Sequence, residues 1–184
     1  ALEIAKKFKV KKDRLINTIN RFDGLQYRQQ IIFNKKKLII INDSKSTSYS
    51  SSVELLKMYD NIFWLLGGIP KKGDKFILSR KYFKNIKCFI FGKNYKKFSK
   101  DLNNKIEYYR YKDLKIALSA IFKFISKKKL PKNTILFSPA SASFDSFKNF
   151  EQRGLYFNKL VNKYLNERKI FKLFFILSMV EKFR

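Results

Sequence analysis

Thr134-Ile135-Leu136-Phe137 runs directly into Ser138-Pro139-Ala140-Ser141-Ala142-Ser143-Phe144-Asp145-Ser146-Phe147-Lys148-Asn149-Phe150-Glu151-Gln152-Arg153-Gly154, and this junction decides how the chain is read. Four apolar or β-branched residues between polar stretches predict a short buried strand, and the residues from Phe150 to Glu167 predict a helix. A strand that enters a serine-rich loop and then a helix presents backbone N–H groups and hydroxyls to an anion in α/β domains. The small residues Ala140 to Ser143 let the backbone approach a ligand closely. An ordinary capped helix start, with Ser143 or Asp145 accepting from the first N–H groups, satisfies the same pattern.

Outward from this junction the same alternation repeats. Helices are predicted at 51–58, 76–83, 95–102 and 113–127, and strands at 62–66, 87–91 and 106–109. Gln29–Phe33 and Lys37–Ile41, joined by Asn34-Lys35-Lys36, read as an antiparallel hairpin. The fold class expected is α/β: a Rossmann-like, mostly parallel sheet of about six strands, an antiparallel hairpin at its edge, and helices on both faces. Ahead of the hairpin, residues 1–22 suit two short amphipathic helices broken near Val10. Behind the last helix, 170–184 carries an apolar patch, Leu173 to Val180, too short for the roughly 20 residues that span a bilayer. That tail reads either as a docking helix or as an ill-ordered extension.

Composition narrows the function classes. With 45% hydrophobic and 17% aromatic residues the chain can bury a core. Forty-two Lys and Arg against fourteen Asp and Glu give a formal charge of +28, with a local extreme of eleven cations and one acid in Gly67–Lys100. Such a charge suggests a basic nucleic-acid-binding module. The lysines are nevertheless spread over every segment, which fits solvated faces and argues against a specific nucleic-acid partner. The lone Cys88 excludes a disulfide framework, and a cytoplasmic compartment is expected. There is no His, no Ser-His-Asp set and no paired-carboxylate site, so no metal site and no hydrolytic machinery is expected.

Three strand ends carry the chemistry. Asn42–Thr47 places Asp43, Ser44, Lys45 and Thr47 in one loop, suited to hydroxyls and phosphates. Leu66-Gly67-Gly68-Ile69-Pro70-Lys71-Lys72-Gly73-Asp74 sets two glycines where backbone can approach a ligand and holds Lys71 beyond them as a point charge. The third is Ser138–Gly154. No G-x-x-x-x-G-K-[ST] loop occurs, so this chain shows no means of binding a triphosphate by itself.

Together, Ile41-Asn42-Asp43-Ser44-Lys45-Ser46-Thr47, Leu66-Gly67-Gly68 with Lys71 and Asp74, and Ser138-Pro139-Ala140 through Gln152-Arg153-Gly154 resemble the carboxyl-terminal domain of the Mur ligases, closest to the branch that adds D-glutamate. The resemblance covers Gln26 to Tyr164. It implies that residues 1–28 are the tail of a central ATPase domain, 29–166 the carboxyl-terminal ligase domain, and 167–184 a tail of unknown role. It implies that Thr47, Lys71, Ser143 and the backbone at Phe144 and Phe150 bind D-glutamate, and that Arg28, Asp43 and Lys45 contact ATP. ATP and Mg2+ would serve the complete enzyme, with UDP-N-acetylmuramoyl-L-alanine as the other substrate, acting as a monomer in the cytoplasm. This chain alone, holding no catalytic residue of its own, would be inactive and bind neither ATP nor Mg2+. Tyr27 stands where the family has His, Gln30 where Glu is common and Ser141 where Cys is frequent. Relatives that add another amino acid, or that build folate polyglutamates, more often carry an aromatic and a His after the Asp.

Overall fold

The computed structural model describes residues 2–35, 37–127 and 132–181, the side chains of 127 and 168–181 excepted. Its elements are α1 (Leu2–Lys7), α2 (Lys12–Asn20), β1 (Gln30–Lys35), β2 (Leu38–Asn42), α3 (Tyr49–Met58), β3 (Ile62–Leu66), a 3-10 turn (Arg80–Asn85), β4 (Ile86–Phe91), α4 (Tyr95–Leu102), β5 (Glu107–Tyr111), α5 (Leu114–Lys127), β6 (Asn133–Phe137) and α6 (Phe150–Glu181).

The strands form one six-stranded sheet in the order β1-β2-β6-β3-β4-β5. Among the described residues only β1 runs antiparallel, pairing with β2 at the edge with a bulge between Ile31 and Phe33. Pairings β2–β6, β6–β3, β3–β4 and β4–β5 are all parallel. The mostly parallel sheet with an antiparallel edge hairpin is as the alternation predicts.

Period-2 alternation sorts the core into two layers. Ile62, Trp64 and Leu66 of β3 face Tyr49, Leu55 and Leu56 of α3 and Phe98 and Leu102 of α4. Phe63 and Leu65 of the same strand face Ala117, Leu118 and Ile121 of α5 and Phe157, Leu160 and Val161 of α6. All five β3 residues are buried, as a strand covered on both faces requires.

The connections place the crevice. The chain leaves β2 over the α3 face, passes over β6 to reach β3, and continues outward to β4 and β5. It then returns through α5 on the opposite face to insert β6 between β2 and β3. β6 is therefore flanked by strands whose connections leave over the other face, the position where open α/β sheets bind ligands beyond their carboxyl ends.

Several local readings need correction. The expected helix at 76–83 is irregular up to Ser79 and then a 3-10 turn. The cause is aromatic packing: the Phe76 ring lies 5.4 Å from Tyr49 and 5.7 Å from Trp64, whereas Ile77 is 76% exposed. The hairpin connection is shorter than expected, since Asn34 and Lys35 already pair with Ile39 and Leu38; Lys36 lies outside the described residues. β5 begins one residue later and ends two later than predicted, and α3 begins two earlier. α6 continues past Glu167 to Glu181, while the side chains of the apolar patch at Leu173–Val180 lie outside the described residues. Among the described residues no helix is long and apolar enough to cross a membrane.

Candidate functional site

Parallel pairing brings the carboxyl ends of β2, β6 and β3 side by side, so segments up to a hundred residues apart in sequence meet there. The loop after β3 and the loop after β6 are cross-bridged, Ile69 N–H donating to Ala142 O at 2.9 Å and Ala142 N–H to Ile69 O at 3.0 Å. Ser141 Oγ donates to Gly67 O at 2.7 Å, and Ser141 N–H reaches Ser46 O in the loop after β2 at 3.3 Å. Gly68 has φ +131°, and a Cβ there would sit 2.3 Å from Ala142 O and 2.4 Å from Ser141 Oγ. The second glycine is thus required by contact as well as by conformation. Ala140, buried in the middle of the serine loop, adopts φ 53°. A left-handed alanine costs about 1 to 2 kcal/mol and persists only where the surroundings fix it.

Arg153 ties these loops from beneath. It is 1% exposed; its Nε donates to Ser44 Oγ at 3.1 Å, and its Nη2 to Ser44 O at 2.7 Å and Ser141 O at 3.0 Å. Among the described residues its buried Nη1 finds no hydrogen-bond partner. Burial brings the guanidinium down to about 10, opposed by the charge of Asp145. The next residue, Gly154, is held under Tyr27, whose ring would lie 2.3 Å from an added Cβ, and its carbonyl accepts from Asn42 Nδ2 at 2.9 Å. At the start of α6, Gln152 N–H donates to Asn149 Oδ1 and Lys148 N–H to Gln152 Oε1, a reciprocal cap.

Asp43 lies 5% exposed at the base of the crevice. Its Oδ1 accepts from Gln29 N–H at 3.1 Å and its Oδ2 from Ser138 Oγ at 2.8 Å. Hydroxyls continue away from it: Ser52 Oγ is 2.7 Å from Ser138 Oγ, and Ser46 Oγ is 2.7 Å from Ser52 Oγ. Burial raises the Asp43 carboxyl to about 6, against lowering by the bonds from Ser138 and Gln29 and by the charge of Arg28.

The residues singled out from the sequence divide by exposure. Thr47, Lys71 and Arg28 are exposed around the rim, and Phe144 is 71% exposed. Ser143 is 3% exposed, its carbonyl accepting from Ser146 and Phe147 N–H. Lys45 and Phe150 meet directly, the ammonium 3.9 Å from the ring centroid. Asp74, at the end of the glycine loop, accepts from Tyr49 N–H at 2.6 Å and so fixes the start of α3. Sequence reasoning gave no role to Asn42, Ser52, Ser138 or Arg153. Asn42, Ser138 and Arg153 stand within the quoted motifs, the signal by which they were open to assignment.

No protein-family model matches the chain. Among curated proteins, it is 35% identical over 160 residues to the UDP-N-acetylmuramoylalanine–D-glutamate ligase of Wolbachia sp. subsp. Brugia malayi, covering 87% of this chain and 32% of that protein. The ligase of the same name from Rickettsia felis is 32% identical over 164 residues, covering 89% and 36%. That from Rhodopseudomonas palustris is 35% identical over 150 residues, covering 81% and 32%. Over the matched residues, the chain belongs to the Mur ligase family. It spans about a third of the length of these relatives. The three strand-end loops described above are the segments that carry the sequence resemblance to the Mur ligases.

Proposed function

We propose that this chain supplies the D-glutamate-binding, carboxyl-terminal part of an ATP-dependent amide ligase of peptidoglycan synthesis in the cytoplasm, working as a monomer on UDP-N-acetylmuramoyl-L-alanine. The observation that carries this reading is the convergence of three widely separated motif segments on adjacent strand ends, in a chain 31–35% identical to ligases of that name. Residues 1–28 then belong to a preceding ATPase domain, 29–166 form the ligase domain and 167–184 follow it. In keeping with that division, neither α1 nor α2 has a buried residue.

The chemistry asks for a dianionic amino acid held in one pose while its amine attacks a carboxylate activated as an acyl phosphate. Lys71 and Thr47, exposed at the rim, and Ser143 with the backbone at Phe144 and Phe150 would take the two carboxylates of D-glutamate. Each good contact to a carboxylate contributes roughly 1.5 to 3 kcal/mol. Fixing the nucleophile also removes much of the entropic barrier to attack. Arg28 and Lys45 would face the phosphates of ATP. Asp43, both of whose oxygens accept bonds from the chain itself, would shape the nucleotide side by holding the Tyr27–Gln29 turn as well as by direct contact. Among the described residues no group of three or more His, Cys, Asp or Glu side chains converges to hold a metal. In the complete enzyme Mg2+ would be held by the phosphates together with residues of the preceding domain.

The test is Lys71→Ala in the complete ligase. The expected result is a KM for D-glutamate raised at least tenfold with the KM for ATP within twofold. Equal changes in both would refute the assignment.

A further inference from the structure

The carboxyl ends of β4 and β5 form a second concavity, displaced along the sheet from the crevice around β6. A hollow of about 450 Å³ is lined by Gly92, Lys93, Tyr95, Arg110, Tyr111 and Lys112. A second hollow of about 260 Å³ shares Gly92 and Lys112 as a common wall and adds Ser146, Phe147 and Tyr156. Three of the six residues of the larger hollow are cations and none is an acid. Arg110 is pre-oriented, its guanidinium 5.4 Å from the Tyr95 ring and 5.7 Å from the Tyr108 ring. Among the described residues neither Arg110 nor Lys112 has a salt-bridge partner. The carboxylates nearby are Asp113, on the wall of the smaller hollow, and Asp145, which faces Gly92 and feels the charges of Lys93 and Arg153. Lys93 is thus partly engaged, Lys112 shares the smaller hollow with Asp113, and Arg110 carries the larger hollow's free positive charge. In the smaller hollow the Phe147 and Tyr156 rings lie 5.5 Å apart. The backbone around the larger hollow is held in place: Gly92 N–H closes β4 onto Tyr111 O at 3.2 Å, and Asn94 donates its amide to Gly68 O instead of capping α4.

We infer that this groove is a binding site for a small phosphorylated compound carrying a flat ring, with Arg110 and Lys112 on the phosphate and Phe147 and Tyr156 against the ring. A planar guanidinium matches phosphate in a bidentate fork, a lysine adds a point charge, and adjacent aromatic faces accept a ring. None of its lining residues is one assigned to D-glutamate or ATP, although the serine loop carries both sets, Ser146 and Phe147 N–H donating to Ser143 O; the inference does not rest on that assignment.

Phenyl phosphate and inorganic phosphate, titrated by calorimetry into the 184-residue chain at about 0.1 M salt, test it. The expected result is saturable one-site binding of phenyl phosphate, at least fivefold tighter than inorganic phosphate. The double variant Arg110→Gln, Lys112→Gln should weaken both at least tenfold. Phe147→Ala should abolish the preference for the ring while leaving inorganic phosphate within twofold. Because the chain is so basic, Lys123→Gln, Lys159→Gln serves as the charge-matched control and should leave both affinities within twofold. Absence of saturation, equal weakening by the control, or loss of binding in Lys45→Gln with none in the Arg110, Lys112 variant would each overturn the inference.

Discussion

Replacing Gly68 by alanine tests whether the glycine loop and the serine loop form one unit. Its φ of +131° is a conformation that costs a residue with a side chain about 1 to 3 kcal/mol. The added methyl would also lie 2.3 Å from Ala142 O and 2.4 Å from Ser141 Oγ, both held by hydrogen bonds across the crevice, and 3.1 Å from Arg153 Nη1. Forcing one methyl into such a contact costs a further ~1 to 3 kcal/mol. Taking about 4 kcal/mol for the sum, and about 2 to 4 °C per kcal/mol for a chain of this size, the melting temperature should fall by roughly 8 to 16 °C. Gly73→Ala is the internal standard: its φ is +76°, but nothing lies within 4 Å of an added Cβ, so only backbone strain of about 1 to 2 kcal/mol applies. Thermal unfolding by circular dichroism of both variants decides the matter. If Gly68→Ala melts no lower than Gly73→Ala, the two loops are not in the contact described.

Other outcomes follow from the same geometry. Asp43 has a folded-state pKa raised from 3.8 to about 6, so the folded protein holds its proton more tightly than the unfolded chain and stability should fall as pH rises through that window. The difference in unfolding free energy between wild type and Asp43→Asn should therefore shift by roughly 2 to 3 kcal/mol from pH 4 to pH 7, against the wild type, and a flat difference would show that the carboxylate is not perturbed. Arg153→Lys cannot reach Ser44 Oγ, Ser44 O and Ser141 O together, and denaturant unfolding should show a loss of about 3 kcal/mol; a loss under 1 kcal/mol would contradict its bracing role. Binding to arbitrary duplex DNA should be weak and show a shallow dependence on salt, and a steep logarithmic slope would instead favour a nucleic-acid module.

The fold was legible because β2, β3, β4 and β6 are mostly apolar runs punctuated by turn residues, and because strands alternate with helical segments along the chain. The edge hairpin was legible for the same reason. What escaped was governed by contacts between distant segments. Apolar residues at 76, 78, 82 and 83 resemble a helix face, yet Phe76 is captured by Tyr49 and Trp64, which only the folded sheet brings near. The site was legible as three loops, since small residues, glycines and serines at strand ends announce close backbone approach. The buried brace was not: Arg153 and Ser44 are 109 residues apart and Ser52 and Ser138 are 86 apart, and no local pattern distinguishes a serine that joins a buried hydroxyl chain from one that caps a helix. Tyr27 shows the same limit, its ring lying on Gly154 in a contact that neither residue's neighbours foretell.

The most direct test of the central claim is titration of the isotopically labelled chain with D-glutamate, and separately with L-glutamate, followed by amide chemical shifts. Saturable shifts at Thr47, Gly68, Lys71, Ser143, Phe144 and Phe150, larger for the D enantiomer at equal concentration, are what the assignment predicts. Shifts confined to other surfaces, or equal responses to both enantiomers, would contradict it.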